Sequence, residues 1–312
     1  MRVFLAGASG VVGRRLLPRL VAEGHEVTGM TRTAAKADAI RVGGAEPAVA
    51  DALDADAVRD AVAAARPQVV VQHLTDLPQD LNPRKLKTAY AANDRLRAEG
   101  TANLTSAAAE VGVTRFVAQT VAFLYYPQGG PVKSEDDPIF RDAPPPFDRS
   151  AAASEALERA VIETGPFEGL VLRFGFWYGP GTTFATDGYT AREVRRRRFP
   201  IVGSGEGVYS FIHIDDVASA TIAALDRGSA GVYNVVDDEP APMREWLPVF
   251  ASTLDAKPPR RVPRWVVRLL VGRFPAYMMT ELRGASNAKA RRELDWSPRY
   301  PSWRQGFREA LG

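Results

Sequence analysis

The sequence predicts an α/β protein: a Rossmann-type doubly wound parallel sheet with a smaller, mostly helical C-terminal substrate domain. Short apolar runs alternate with helical stretches in the first half of the chain, which is typical of βαβ units. A glycine-rich turn joins the first strand to the first helix. The run "PQVVVQHL" (67–74) is continuously apolar at its centre, as expected for a strand buried on both faces of a parallel sheet.

The first half of the chain is predicted to contain strands separated by crossover helices. We expect strands at 2–7, 25–32, within 45–53, at 67–74 and at 114–121. We expect helices at 13–24 and 54–65 and a long helical region at 84–112. Such crossover connections are right-handed, so the helices cover both faces of the sheet.

The second half is less regular and begins after a proline-rich loop at 127–147. Its predicted elements are a helix (150–164), a strand (169–176), an arginine-rich helix (191–198), a strand–turn–helix unit (208–226), a strand (231–237) and a helical tail (240–312). Asp215 or Asp216 is the predicted N-cap within the strand–turn–helix unit. The predicted domains are 1–175, with 211–236 returning to it, for the dinucleotide, and 176–210 with 237–312 for the substrate.

Composition limits the classes of function. The net charge is only +3, which gives no reason to expect a nucleic-acid partner, and the absence of cysteine excludes disulfides and thiol catalysis. No apolar run approaches the roughly 18–20 residues that a membrane helix needs. We interpret "RWVVRLLVGRF" (264–274) as a helix packed on the core, in preference to a membrane-surface role. A cytoplasmic protein without membrane contact is the default expectation.

Three glycines after the first strand predict a phosphate-binding turn. Gly7, Gly10 and Gly13 have the spacing G-x-x-G-x-x-G at the start of the first helix. Gly7 permits the tight turn, Gly10 lets the backbone approach a pyrophosphate, and Gly13 lets the helix pack closely on the strand. The helix N-terminus adds free N–H groups and partial positive charge.

The end of the second strand predicts which dinucleotide binds. "MTRTAAK" contains no acid that could bind the 2′-hydroxyl of NAD. Thr31 and Arg32 instead offer a hydroxyl and a guanidinium, which suit a 2′-phosphate. The sequence therefore favours NADP(H), with NAD(H) as the alternative.

Several segments resemble the extended short-chain dehydrogenase/reductases, the NAD-dependent epimerase/dehydratase family. They are "FLAGASGVVGRRL", "VADALDADAVRDAV", "VVVQHLT", "LRFGFWYGPGT", "FIHIDDVASATIAAL" and "SNAKARRELDWSPRYPSWRQGFREAL". By this resemblance the cofactor site also includes Ser9, Val11, Val12, Asp51, Ala52, Leu74, Thr75 and Phe174. The resemblance further implies a homodimer formed through the helices near 84–112 and 150–164.

The catalytic pair of the family is absent. Members use a tyrosine at the substrate oxygen, a lysine four residues later, and a serine or threonine on the preceding strand. The matching positions in "PPFDRSAAASE" are Phe147 and Ala151, which have neither a hydroxyl nor a charge. Thr120, in "AQTVAF", matches the third member. The chain is therefore identified as an atypical member without the Tyr-x-x-x-Lys pair.

Other tyrosines are candidates for the missing proton donor. Tyr125 and Tyr126 follow the Thr120 strand, and Tyr178 lies in "WYGPG"; each has packing as its alternative role. A tyrosine without a lysine partner has a pKa near 10, so it serves better as an acid than as a base. This favours reduction of a substrate over oxidation.

Aromatic residues predict an apolar substrate site. Phe123, Phe147, Phe176 and Trp177 are the candidate substrate contacts. Tyr209 occupies a position where sugar-nucleotide members of the family carry an arginine, which argues against a nucleotide-sugar substrate. Arg192 and Arg195–Arg198 could hold an anion or could form a solvated helix face.

These observations predict an NADP(H)-dependent oxidoreductase, a reductase of a small or medium apolar carbonyl or conjugated compound. Two alternatives remain open at this point. One is a non-redox isomerase, epimerase or lyase on the same fold, and the other is a catalytically inactive NADP(H)-sensing regulatory protein. No metal site is expected, because the three histidines show no metal-ligand spacing.

Overall fold

The computed structural model describes residues 1–78 and 86–311. Within them, seven strands form one parallel sheet in the order β12-β7-β5-β4-β1-β2-β3. The strands are β1 (Arg2–Ala6), β2 (Glu26–Thr31), β3 (Glu46–Val49), β4 (Val69–Gln72), β5 (Arg115–Val121), β6 (Val132–Lys133), β7 (Glu168–Phe174), β8 (Phe176–Tyr178), β9 (Ile201–Val202), β10 (Val208–Tyr209), β11 (Phe211–His213), β12 (Gly231–Val235), β13 (Ala241–Pro242), β14 (Arg261–Val262) and β15 (Gly284–Ala285).

The strand order reverses between β1 and β4, so the sheet is doubly wound. The helices are α1 (Gly13–Ala22), α2 (Ala37–Val42), α3 (Ala55–Ala65), α4 (Leu86–Arg95), α5 (Thr101–Glu110), α6 (Phe147–Glu163), α7 (Tyr189–Arg195), α8 (Ile214–Ala223), α9 (Met243–Thr253), α10 (Arg264–Leu270), α11 (Arg273–Thr280), α12 (Ala288–Glu293) and α13 (Trp303–Leu311). The predicted Rossmann-type fold is confirmed. Ligands bind such folds at the point where the strand order reverses.

Helices cover both faces of the sheet and pack apolar side chains against it. One core cluster joins α1 and α8 to one face, and a second joins α3, α5 and α6 to the other. A third cluster, rich in aromatic rings, lies in the second half of the chain among α6, α9, α11 and α13. Short strand pairs (β8–β11, β9–β14, β10–β13 and β6–β15) connect this cluster to the sheet region.

The helical region expected at 84–112 consists of α4 and α5, joined by a π-helical segment at Leu96–Gly100, and residues 84–85 of it lie outside the described residues. Elsewhere one local prediction was wrong and one helix was not predicted. The N-cap of α8 is His213, whose ring accepts a hydrogen bond from the Asp215 N–H, so neither Asp215 nor Asp216 caps the helix. Helix α2 was not predicted, because six residues are too few to show a period.

Helix α10 also departs from its predicted environment. The sequence predicts a core-packed helix, but Trp265, Leu269 and Leu270 are exposed and only Val267 of its apolar residues is buried. Within residues 1–78 and 86–311, no helix is both long enough and apolar enough to cross a membrane.

Candidate functional site

The glycine turn between β1 and α1 brings backbone close to backbone. Gly7 has φ +91°, and a Cβ added there would lie 2.6 Å from the His73 carbonyl oxygen. A Cβ on Gly13 would lie 2.3 Å from the Gly7 carbonyl oxygen. The Gly10 N–H closes the turn on the Gly7 carbonyl oxygen at 2.9 Å. The positions of Gly7 and Gly13 therefore accept only glycine, as the predicted phosphate turn requires.

The start of α1 leaves hydrogen-bond donors free. Val12 is the N-cap and offers no side-chain hydrogen bond, and the first turn contains no acid. In the described part of the chain, the N–H groups of Val11 and Val12 have no acceptor. Free N–H groups at a helix N-terminus suit an anion, so this end fits the pyrophosphate of a dinucleotide.

A cleft of about 230 Å³ opens beside this turn, at the carboxyl ends of the parallel strands. It is lined by nine of the thirteen predicted cofactor residues: Gly7, Ser9, Gly10, Thr31, Arg32, Asp51, Ala52, Leu74 and Thr75. The other four lie outside its lining. Val12 and Gly13 are buried beneath the turn, Val11 is half-buried, and the fully buried Phe174 stacks on His73 at 5.9 Å between ring centroids.

The part of the cleft next to the end of β2 is polar and cationic. The hydroxyls of Ser9 and Thr31 lie 3.1 Å apart. The Arg32 side chain is 61% exposed and its nearest carboxylate, that of Asp76, is 3.7 Å away. Lys36 lines the same cleft, although sequence reasoning did not select it. The side chains of Arg32 and Lys36 are thus placed where they could contact a phosphate group of a ligand in the cleft.

The two positions that the resemblance assigns to the catalytic pair are filled with apolar side chains. Phe147 is 1% exposed and Ala151 is 0% exposed, both at the start of α6. The Phe147 ring stacks on Phe274 of α11 at 4.9 Å and lies 6.2 Å from Phe123. A hydroxyl and an ammonium group are therefore not only absent; their places are occupied by packed apolar groups.

Two candidate proton donors are buried in structural contacts. Tyr125 donates a hydrogen bond to Asn234 Oδ1 at 2.6 Å and accepts one from Arg173 at 2.9 Å, and burial raises its pKa to about 12. Tyr178 is fully buried, with its hydroxyl against the backbone of Gly306, and burial raises its pKa. Neither hydroxyl lines the cleft.

The other two candidates differ in exposure. Tyr126 is half-buried and its ring meets Phe140 edge-on at 5.0 Å. Thr120 is fully buried, and its hydroxyl has no partner among the described residues. Because side chains alternate along a strand, Thr120 shares the face of Phe116 and Ala118, which packs beneath α5 and α6.

Three of the four predicted substrate contacts come together. Phe123 stacks on Phe176 at 4.4 Å, and Phe176 continues to Tyr209 at 4.7 Å. Phe147 completes the group next to Phe123. Trp177 points to the opposite face of β8, where it packs near Phe174 at 6.3 Å. Alternation along β8 separates it from the cluster.

One aromatic residue of this region, Tyr90 of α4, was missed. Its ring lies edge-on to Phe274 at 6.0 Å and is half-buried. Burial raises the pKa values of Tyr90 and Tyr209, and the field of Tyr90 adds to the rise at Tyr209. Two protonated phenols therefore adjoin the stacked phenylalanines. The position of Tyr90 next to these rings follows from the packing of α4 against α11, which the sequence does not show.

His73 connects the cleft to the core. Its Nδ1 lies 3.3 Å from Gln119 Oε1, and its Nε2 lies 3.0 Å from Thr221 Oγ1. Burial lowers its pKa to about 4, so the imidazole is neutral at neutral pH. Its role is to hold β4 against β5 and α8, so that its carbonyl faces the glycine turn. Within the described residues, no group of histidine, aspartate and glutamate could hold a metal ion.

The doubly wound sheet, the glycine turn and the cleft define a Rossmann-type dinucleotide-binding protein. The chain belongs to the NAD dependent epimerase/dehydratase family, whose model matches residues 3–236. The 3-diazoavenalumate denitrifying reductase of a Streptomyces species is 46% identical, over 98% of this chain and 99% of that protein. A 4-hydroxy-2-methyl-3-oxo-4-farnesyl-3,4-dihydroquinoline-1-oxide ketoreductase of Stigmatella aurantiaca is 27% identical, over 96% of this chain and 92% of that protein.

Solved structures agree on the fold. UDP-glucose 4-epimerase of Thermotoga maritima has a TM-score of 0.78 at 17% identity, over 99% of this chain and 97% of that one. The human epimerase family protein SDR39U1, solved with NADPH, has a TM-score of 0.73 at 23% identity, over 99% of both chains. The family and the reductase relatives support an oxidoreductase that uses a nicotinamide dinucleotide.

Proposed function

We propose that this protein is an NADPH-dependent reductase of a conjugated aromatic compound, with an aryl diazo group as the reducible function. The observation that carries this proposal is the packing of Phe147 and Ala151, which removes the acid needed at a substrate oxygen. The relative that is 46% identical over nearly the whole chain is named as a reductase of a diazo compound. That chemistry does not need the missing acid.

The electron balance explains why no proton donor is required. A nicotinamide cofactor held here would supply a hydride; with an aryl diazonium, the new C–H bond would take the two hydride electrons, and the C–N bonding pair would leave with dinitrogen. The products are the arene, dinitrogen and the oxidised cofactor, so no proton is consumed. A ketone, by contrast, becomes an alkoxide that must be protonated, and general acid catalysis there is typically worth about 10²–10⁴-fold.

The residues of this chain would supply binding and orientation. The free N–H groups of Val11 and Val12 would hold the pyrophosphate, and Arg32 with Lys36 the 2′-phosphate. The stacked Phe123 and Phe176 would hold the flat substrate. The catalytic roles predicted for Thr120 and Tyr126 stay predictions, and hydride transfer to an aryl diazonium would need neither hydroxyl as a proton donor.

Isotope transfer is the direct test. The protein is incubated with a hydroxyaryl diazonium and NADPH deuterated at the transferable position, in ordinary water. We expect deuterium at the carbon that carried the diazo group, one NADPH oxidised for each dinitrogen released, and little turnover of aryl ketones. Turnover of ketones without diazo turnover would instead favour a ketoreductase, the activity named for the relative that is 27% identical.

A pair of variants locates the substrate. Phe176→Leu removes the ring that stacks on Phe123 and is expected to raise KM for the aryl substrate about tenfold, since an aromatic pair adds about 0.5–1.5 kcal/mol beyond area burial. Phe199→Leu is the matched control, because Phe199 is also half-buried but contacts Trp246 instead. Equal KM values for both variants would place the substrate elsewhere.

A further inference from the structure

Helix α10 presents apolar side chains to solvent. Trp265 is 69% exposed, and Leu269 and Leu270 are each 76% exposed. Trp265 and Leu269 are four residues apart, so they share one helix face, opposite the buried Val267. Val271 continues the patch and is 42% exposed. A contiguous patch of exposed apolar side chains marks an interaction site.

Arginines surround this apolar face. Arg264 and Arg268 lie on α10, Arg273 begins α11, and Arg260 and Arg261 precede α10; all five are exposed. Arg264 pairs with Glu281. Among the described residues, the other four arginines form no ion pair.

The arginine-rich end of α7 extends the same surface. The guanidinium of Arg197 donates to the Pro258 carbonyl at 3.3 Å, and β9 pairs with β14 directly after these residues. Segments 192–198 and 257–273 contain eleven basic residues and one acid, Glu193, so they carry +10. The whole chain carries +3, so all other residues together carry −7. The charge is therefore strongly segregated.

We propose that this surface, formed by Trp265, Leu269, Leu270 and Val271 within the arginines of 192–198 and 257–273, docks on an anionic lipid surface. Leucine and tryptophan on one face, surrounded by arginine, are typical of elements that lie in a membrane interface. The positive charge and the exposed apolar side chains both fit a lipid surface. The arginines would contact headgroup phosphates, and the apolar side chains would enter the boundary between headgroups and acyl chains.

Other occupants fit less well. A second copy of the chain would bring +10 against +10. A nucleic acid would meet the arginines but leave Leu269 and Leu270 in water. An acidic protein could satisfy both properties and is distinguished by experiment.

Co-sedimentation of the full chain with vesicles tests the proposal. Vesicles of phosphatidylcholine alone are compared with vesicles containing phosphatidylglycerol as well, at low and at high salt. We expect binding to the anionic vesicles only, weaker at high salt, and a blue shift of Trp265 fluorescence. Trp246, Trp296 and Trp303 are buried and Trp177 is half-buried, so comparison with Trp265→Phe identifies the fluorescence signal of Trp265.

Variants separate the two contributions. Each arginine near an anionic membrane is worth about fivefold in affinity, so Arg268→Glu with Arg273→Glu is expected to weaken binding by at least about 25-fold. Arg159→Glu with Arg308→Glu changes the total charge equally from exposed sites elsewhere and is the control. Leu269→Ser with Leu270→Ser is expected to abolish the part of the binding that survives high salt. NADPH binding and the melting temperature verify that each variant is folded.

Several results would overturn the proposal. One is no binding to anionic vesicles at low salt. Another is equal weakening by both charge-reversed pairs, which reports total charge rather than this surface. A third is no effect of the leucine pair. Retention on an immobilised polyglutamate peptide without vesicle binding would assign the surface to an acidic protein instead.

Discussion

The preference for NADPH over NADH is expected to depend on Arg32 and Lys36, since the two cofactors differ only in the 2′-phosphate. A hydrogen bond to a charged group contributes about 1.5–3 kcal/mol, and we take about 1.5 for Arg32 because its side chain is 61% exposed and Asp76 competes at 3.7 Å. The exposed Lys36 acts as a point charge worth about 1 kcal/mol. Arg32→Ala with Lys36→Ala is therefore expected to weaken NADPH binding about 50-fold.

Calorimetric titration of each variant with NADPH and NADH measures this difference. NADH affinity is expected to change less than about twofold, because neither cation faces a charge of NADH at that position. Arg41→Ala is the control, since Arg41 is exposed on α2 and pairs with Asp38 outside the cleft lining. An equal loss of NADH and NADPH affinity would mean that the variant damages the cleft, and the assignment of the 2′-phosphate site would be refuted.

Three further predictions concern the supporting structure. Gly13→Ala places a Cβ within 2.3 Å of a backbone oxygen, so a loss of about 1–3 kcal/mol in unfolding free energy and weaker binding of both cofactors are expected, whereas Gly130→Ala, with no contact nearer than 3.8 Å, leaves both unchanged. Tyr125→Phe is expected to cost about 1–3 kcal/mol in urea unfolding with kcat nearly unchanged; lost kcat at unchanged stability would make Tyr125 the proton donor after all. His73 has a pKa lowered from 6.5 to about 4, so the unfolded chain binds more protons between these values. The contribution of neutral His73 to the free energy of unfolding is expected to be fully present above pH 6.5 and to fall by up to about 3 kcal/mol as the pH drops toward 4. His73→Gln is expected to remove this contribution to the pH dependence of unfolding.

The sheet and the glycine turn could be predicted because their signals are local. The run at β4 is apolar on both faces, and three glycines stand at fixed spacing directly after β1. The rest depends on partners far along the chain. Asp216 looks like a helix cap, yet it accepts the N–H groups of Arg299 and Tyr300 at 2.8 and 3.0 Å.

The candidate site divides in the same way. The nine lining residues that were predicted lie at the end of a strand or in the segment that follows one, whereas Lys36 lies in a short helical turn that the sequence did not predict. Tyr178, in "WYGPG", is a candidate from the sequence with packing as its alternative role, and the sequence does not show what covers its hydroxyl. Its hydroxyl is covered by Gly306, on a helix more than a hundred residues later in the chain.

The packing around Phe147 and Ala151 also limits which substitutions the fold tolerates at these two positions. A lysine at position 151 alone would put an unpaired ammonium where exposure is 0%, and a tyrosine at 147 alone would bury an unsatisfied hydroxyl against Phe274. Each single substitution is therefore expected to lower the stability of the fold, so a tyrosine–lysine pair could be introduced only together with changes in the packing around it. Exchange of one apolar ring for another in this aromatic cluster is expected to be tolerated better than introduction of the polar pair.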